Sequence, residues 1–265
     1  MQLRLVPARQ GVTWVRQGLQ VFLRFPLPFT TLFLVFLFGA FIVAILPFVG
    51  VLALLILLPG VTLSFMIATR QSLAGRVPMP SVFADPFRGQ SERTLGMVKL
   101  GVGYALASLG MMMLADWLDD GRFEALARGE AAAELMNDPQ MFVSVAMRLT
   151  LTLPLSLLFW HAPALVHWCG VTALKAVFFS LVACWRNKAA FTMYGIVWAA
   201  AMLLFGLVTT TLFALIGLPQ LIGLAALPAA LLFSTVFYIS LYFTFADCFE
   251  LEPGDTPPSA LLTGH

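Results

Sequence analysis

LPFTTLFLVFLFGAFIVAIL, residues 27–46, decides the class of this protein, because it runs for a full bilayer length without one charged residue. About 20 apolar residues wound as a helix cover a hydrocarbon core roughly 30 Å thick. Backbone groups in hydrocarbon must pair within their own segment, so the stretch is read as a helix and not as a strand. It begins after 26 residues that hold four arginines, and no small-x-small cleavage site precedes the next polar region. A cleaved signal peptide has a shorter apolar core and such a site, so a retained anchor is expected.

Working outward, five further stretches have the same character: Phe48–Ala68, Leu95–Ala115, Phe142–Trp160, Ala189–Ile216 and Gln220–Ala246. Of the 265 residues, 60% are hydrophobic and 11% charged. Soluble domains are about 45–50% apolar and about 25% charged, and this chain has too few polar groups to coat a water-facing globule. The expected fold is all-α: a single transmembrane domain over residues 1–265, with about six spans and two juxtamembrane amphipathic helices. Pro47 and Gly217-Leu218-Pro219 mark two almost chargeless tight hairpins, since proline removes a backbone donor and ends a helix.

Lys and Arg in short flanking segments set orientation. Arg4, Arg9, Arg16 and Arg24 precede the first span, and Arg70, Arg76, Arg88 and Arg93 join spans two and three, with Lys99 just beyond. Lys175, Arg186 and Lys188 follow span four without an acid, as the four N-terminal arginines precede span one without one. The segment Asp116–Asp138 instead carries seven acids against Arg122 and Arg128. Six spans place every basic segment on one side, expected to be the cytoplasm, and the acidic loop of residues 116–141 in the periplasm. The tail of residues 247–265 (Asp247, Glu250, Glu252, Asp255) is acidic yet falls on the cytoplasmic side; acids contribute little to orientation, so the count stands.

Two segments outside the spans look interfacial. In Gln10–Phe25, Thr13, Arg16, Gln17, Gln20 and Arg24 share one helical face, and Val12, Val15, Leu19 and Phe22 share the other. A basic amphipathic helix of this kind lies in the headgroup plane. Val171–Trp185 has Leu174, Val177, Phe178 and Leu181 around Lys175. Both lead, through Arg24-x4-Phe29 or Arg186-x4-Phe191, into a span, a tight hairpin and a return helix with an internal proline, Pro59 or Pro228. That pattern suggests a parallel internal repeat of the kind some transporters have.

Chemistry-bearing residues are few. Lys99 and Arg148 lie near predicted span ends, where long side chains snorkel to the interface, and no Asp or Glu sits inside a predicted span. His161, His167 and Cys169 flank Pro163, but spacing and proline deny them a shared helix face, so no metal is expected. The three cysteines (Cys169, Cys184, Cys248) form no disulfide framework. Ser234, Tyr238 and Tyr242 recur at i, i+4 and i+8 in span six, near Thr235, Ser240 and Thr244. This hydroxyl face, with Pro59 and Pro228, either lines a cavity or packs helices by hydrogen bonds. Gly96, Gly103, Ala107 and Gly110 give span three a small-residue stripe for close packing. Pro59-Gly60 and Pro154 predict kinks or breaks, and Glu124–Met136 a short solvated helix in the acidic loop. Arg9, Arg16, Arg24, Lys175, Arg186 and Lys188 are candidate contacts for anionic lipid, at roughly 1 kcal/mol per basic residue near the surface. There is no P-loop, Gly-x-Ser-x-Gly, His-Glu-x-x-His or pair of catalytic carboxylates.

Val6-Pro7-Ala8-Arg9-Gln10-Gly11 leading to Trp14 forms one motif. Ala162-Pro163-Ala164-Leu165-Val166, with Ala176-x3-Ser180-x2-Ala183-Cys184-x-Arg186-Asn187, forms a second. The chain resembles, over essentially its whole length, an uncharacterised family of bacterial integral inner-membrane proteins. It departs from that pattern at Arg24-Phe25-Pro26, where Arg-Asn-Pro is usual. The resemblance implies inner-membrane localisation and topology, and no activity. The expected role is a non-catalytic membrane protein, without cofactor, that binds lipid or a homo- or hetero-oligomeric membrane partner and no nucleic acid. The alternative is a permease for lipid or small solutes.

Overall fold

The computed structural model describes residues 2–47, 49–88, 91–121, 123, 139–218 and 222–250. The Glu124–Met136 helix, Pro219 and the tail beyond Glu250 lie outside the described residues. So do Arg122, Arg128 and most acids of the 116–141 loop.

Among the described residues the chain is an α-helical bundle. α1 spans Gln10–Arg24, α2 Pro26–Ala44, α3 Gly50–Leu73, α4 Ser91–Leu118 and α5 Pro139–Phe159. α6 spans Ala162–Cys169, α7 Ala173–Arg186, α8 Lys188–Leu215 and α9 Ile222–Cys248, and a 3-10 helix covers Pro80–Phe87. Six helical stretches are long and apolar enough to cross a bilayer: α2, α3, α4, the Pro139–Cys169 stretch made of α5 and α6, α8 and α9. They agree with the sequence-predicted spans in number and order. α4 and the fourth stretch extend several residues beyond the hydropathy limits, because helical hydrogen bonding continues into polar flanks that hydropathy does not count.

The two ends of the described chain meet. β1 (Gln2–Leu3) pairs antiparallel with β2 (Phe249–Glu250), in the register Gln2↔Glu250. Asn187, at the α7–α8 corner, clips this end together. Its Oδ1 accepts the Val6 N–H at 2.9 Å, and its Nδ2 donates to the carbonyls of Arg4 and Ala183, each at 3.1 Å. Both ends of an even number of crossings therefore lie on one side of the bundle.

Span four breaks at Trp160-His161, not at Pro154, which sits inside continuous α5; Pro59 likewise lies inside continuous α3. The Ser180 hydroxyl, from α7, enters the break. It accepts the His161 N–H at 2.9 Å and donates to the Leu157 carbonyl at 2.8 Å, so it stands in for the i→i−4 bond between those two groups. Pro163 follows in the first turn of α6, where no backbone donor is needed.

α1 does not lie alone in the headgroup plane. Gly11, Trp14, Gly18 and Val21 form its buried face, packed on both α8 and α9. A Cβ at Gly11 would meet the Ala190 carbonyl, and one at Gly18 would lie 2.8 Å from the Ser240 Cβ, so glycine permits this approach. Val12 and Leu19, on the apolar face expected at the interface, are exposed. The face that meets the protein is marked instead by two glycines, which a hydropathy reading passes over. α7 packs instead on α5 and α6, so the two amphipathic helices of the suggested repeat occupy dissimilar surroundings.

The packing face of α4 also differs from expectation. Gly101, Ala105 and Ser108 are buried, whereas Gly103 and Gly110 have nothing within 4 Å of a built Cβ. Of the three glycines in the predicted stripe, only Gly96 meets a neighbour, Val166 Cγ1 at 3.0 Å. At Gly101 a Cβ would collide with the Ile56 carbonyl of α3. Gly101→Ala should therefore destabilise by about 1–3 kcal/mol through overpacking. Gly110→Ala, into open space, should be neutral or stabilising by up to about 1 kcal/mol. Thermal unfolding in detergent compares the pair, and equal midpoints would refute the assignment of the α3–α4 contact.

Candidate functional site

The predicted site residues do not converge. Pro59 and Tyr238 line one small cavity of about 170 Å³ between α3, α4, α5 and α9, together with Thr62, Tyr104 and Ser156. The Tyr238 ring stacks on Phe65, with centroids 4.9 Å apart. Ser234 lines a different space, a cleft of about 610 Å³ between α8 and α9 that Tyr238 also borders. Tyr242 is buried, edge-on to Trp168 at 6.1 Å, and belongs to no cavity wall described here. Pro228 is exposed on α9 and neither lines a cavity nor packs in the core.

Two other hydroxyls of α9 hold helices together. Ser240 Oγ and Tyr194 Oη lie 2.6 Å apart, and Thr244 Oγ1 accepts the Trp160 indole N–H at 3.1 Å. The hydroxyl face is thus divided: Ser240 and Thr244 pack, and Ser234 and Tyr238 face open space.

Both tight hairpins are splayed. The α2–α3 cleft encloses about 580 Å³, walled by Phe36, Gly39, Val43, Val51 and Leu55 and floored by Phe87 of the 3-10 helix. The α8–α9 cleft is walled by Met202, Phe205, Ala229 and Phe233. Both fall within the roughly 300–1,000 Å³ of typical ligand sites.

Charged groups occupy the two ends. Arg9, Arg16, Arg24, Lys175, Arg186 and Lys188 are all exposed. Around Lys175 and Arg186, α7 presents Leu174, Phe178 and Trp185 outward, 82%, 60% and 65% exposed, while Ala176, Ser180 and Ala183 face the protein. α7 thus has the basic and apolar outer face of an interfacial helix. Arg148 is paired within the protein. It sits nine residues inside α5 and donates to Asp119 and Asp116 at the end of α4, both at 2.6 Å through Nη2.

Asp247 is bound into the bundle rather than the tail: its Oδ2 accepts Trp14 Nε1–H at 2.7 Å and Gln10 Nε2–H at 2.6 Å. His161 is fully buried against Phe191, Phe245 and Phe249, and neither ring nitrogen is hydrogen-bonded among the described residues. Burial pushes the Cys184 thiol well above its ordinary range. No group of three His, Cys, Asp or Glu that could hold a metal occurs among the described residues.

Sequence reading missed a basic groove beside α4. Glu92, Arg93 and Lys99 border a space of about 520 Å³ closed by Val166 and the Gly170–Ala173 turn between α6 and α7. Lys99, Thr172 and Ala173 also border an adjoining apolar space of about 500 Å³, with Leu100, Gly103 and Phe159. The signal was present as Glu92, Gly96, Lys99 and Gly103 at i, i+4, i+7 and i+11, one stripe of a helix.

Six bilayer-length helices, splayed apolar hairpins and basic residues exposed outside them define a polytopic α-helical membrane protein. The chain is 34% identical, over an alignment of 266 residues covering 96% of each chain, to a probable inner membrane protein of Burkholderia thailandensis. It belongs to that protein's family of inner-membrane proteins. No protein-family model matches the chain, and no solved structure matches it.

Proposed function

We propose that this is a non-catalytic, lipid-binding protein of the bacterial inner membrane, with both termini in the cytoplasm. The observation that carries the reading is the pair of apolar, ligand-sized clefts between α2 and α3 and between α8 and α9. Such clefts suit acyl chains, and they lie in a bundle whose basic residues are exposed to attract anionic headgroups. The cytoplasmic assignment rests on the excess of Lys and Arg at the end where β1 and β2 pair.

The test is native mass spectrometry of protein purified in mild detergent. Wild type should carry bound phospholipid. Gly39→Leu, whose side chain enters open space in the α2–α3 cleft, should carry less. Lipid-free wild type would end the lipid reading, and the same spectrum gives the oligomeric state. Reporters fused after Glu130 and after Leu262 should lie on opposite sides of the membrane. A permease is the second reading, favoured by the cavity at Pro59, Tyr104 and Tyr238. It would show as solute flux in reconstituted vesicles that Thr62→Leu blocks by filling that cavity.

A further inference from the structure

Resting on the lipid reading, we infer that the groove between α4 and the α6–α7 turn is a specific site for one phosphatidylethanolamine molecule. Its phosphate sits on Arg93 and Lys99, its ammonium on Glu92, and one acyl chain runs past Gly103.

The order of side chains along α4 carries the argument. Glu92 lies in the first turn, at the end of the bundle that holds both termini. Lys99 is about 10 Å further along the axis and Gly103 about 6 Å beyond that, at 1.5 Å per residue. All three, with Gly96, fall on one stripe. The two spaces they border meet at Lys99, Thr172 and Ala173, the first half polar and the second almost wholly apolar. The groove therefore grades from acid, through cations, to hydrocarbon in the direction in which a phospholipid of that leaflet grades from headgroup to chain.

The composition of the groove selects the headgroup. Two cations match a phosphodiester, and the acid at the rim is left for a cationic donor. An ethanolamine ammonium supplies three N–H donors, as a lysine ammonium does. A glycerol headgroup would leave Glu92 without a cation, and choline has no N–H to donate. Free phosphate would leave the apolar half unfilled. Lys99 and Arg93 are exposed, and no ion pair to either is formed among the described residues. Gly103 leaves its stretch of groove open, with nothing within 4 Å of where a Cβ would stand.

Delipidated full-length protein titrated with phosphatidylethanolamine, phosphatidylglycerol or phosphatidylcholine, read by native mass spectrometry, tests the site. Wild type should retain one phosphatidylethanolamine in preference to the other two, and excess inorganic phosphate should not displace it. Lys99→Gln should weaken binding of every phospholipid at this site about fivefold. Glu92→Gln should erase the preference for phosphatidylethanolamine over phosphatidylglycerol while leaving binding itself. Gly103→Leu should remove the tightly held molecule, at an unchanged unfolding midpoint, whereas Gly39→Leu should not. If Gly103→Leu and Lys99→Gln retain lipid as wild type does while Gly39→Leu loses it, the groove is not the site and the lipid reading survives. If wild type retains no lipid at all, that reading falls first. Equal binding of phosphatidylglycerol and phosphatidylethanolamine by wild type would overturn the headgroup assignment.

Discussion

Arg148→Ala is expected to destabilise the bundle by about 3–5 kcal/mol, the cost of breaking a buried ion pair from one side. Arg148 joins α5 to α4 at the end away from the termini. Its Nε and Nη2 donate to Asp119 Oδ2 at 2.9 and 2.6 Å, and Nη2 also donates to Asp116 Oδ1. The guanidinium lies over the Phe123 ring, 4.6 Å from its centroid. Only 1% of the Asp119 side chain and 18% of the Arg148 side chain are exposed. Asp119 Oδ1 meanwhile accepts the Gly121 N–H, so the same carboxylate shapes the turn after α4. With the guanidinium gone, a buried carboxylate is left without its cation, and that loss exceeds the value of the pair itself. Adding Asp119→Asn removes the uncompensated charge and should recover part of the loss. The measurement is the unfolding midpoint in detergent across the three variants. A single variant as stable as wild type, or a double variant no better than the single, would show that the pair is not held in a dry site.

Trp14→Ala should cost a similar amount, about 3–5 kcal/mol, typical of emptying a large buried aromatic site. Trp14 is fully buried between α8 and α9, tilted on Phe191 at 5.2 Å and edge-on to Tyr194 at 6.0 Å. Its indole N–H donates to Asp247, as does the Gln10 side-chain amide. Trp14→Phe keeps an aromatic ring and loses only the donor, so its cost should be about 1–3 kcal/mol. The larger effect should also release α1, and protease cleavage at Arg9, Arg16 and Arg24 should quicken in Trp14→Ala but little in Trp14→Phe. Equal cleavage in all three proteins would mean that α1 is held by something other than this residue.

The two motifs behind the family resemblance prove to be packing sites. Gly11 and Trp14 seat α1, Ala162–Val166 is buried, and Ala176, Ser180, Ala183, Cys184 and Asn187 face inward at the α7 end. Ser180 closes the broken span and Asn187 ties down the N-terminal segment. No composition-based reading assigns such roles, because each depends on a partner far away: Asn187 and Val6 are 181 residues apart, and Trp14 and Asp247 are 233 apart.

The candidate site divides in the same way. Tyr238 and Pro59 share a cavity, as their placement on facing helices allows, but Ser234 turns into the next cleft and Pro228 faces outward. A hydroxyl stripe at i, i+4, i+8 marks a face without saying which neighbour stops each residue.

The six spans, their order and the segregation of basic from acidic segments were determined by the sequence alone. Transfer of apolar groups out of water is local and nearly additive along the chain, so a window of about 20 residues contains it. Only the tertiary structure decided which face of α1 is buried, which glycines of α4 bear a neighbour and that Arg148 is paired. It alone brought Glu92, Arg93 and Lys99 against the α6–α7 turn. Those outcomes depend on helix rotation, and rotation is set by close contacts such as Gly11 on the Ala190 carbonyl and Gly101 on the Ile56 carbonyl. In spans this uniformly apolar, hydropathy differs little from one helix face to another. The small residues, through the partners they admit, choose the face.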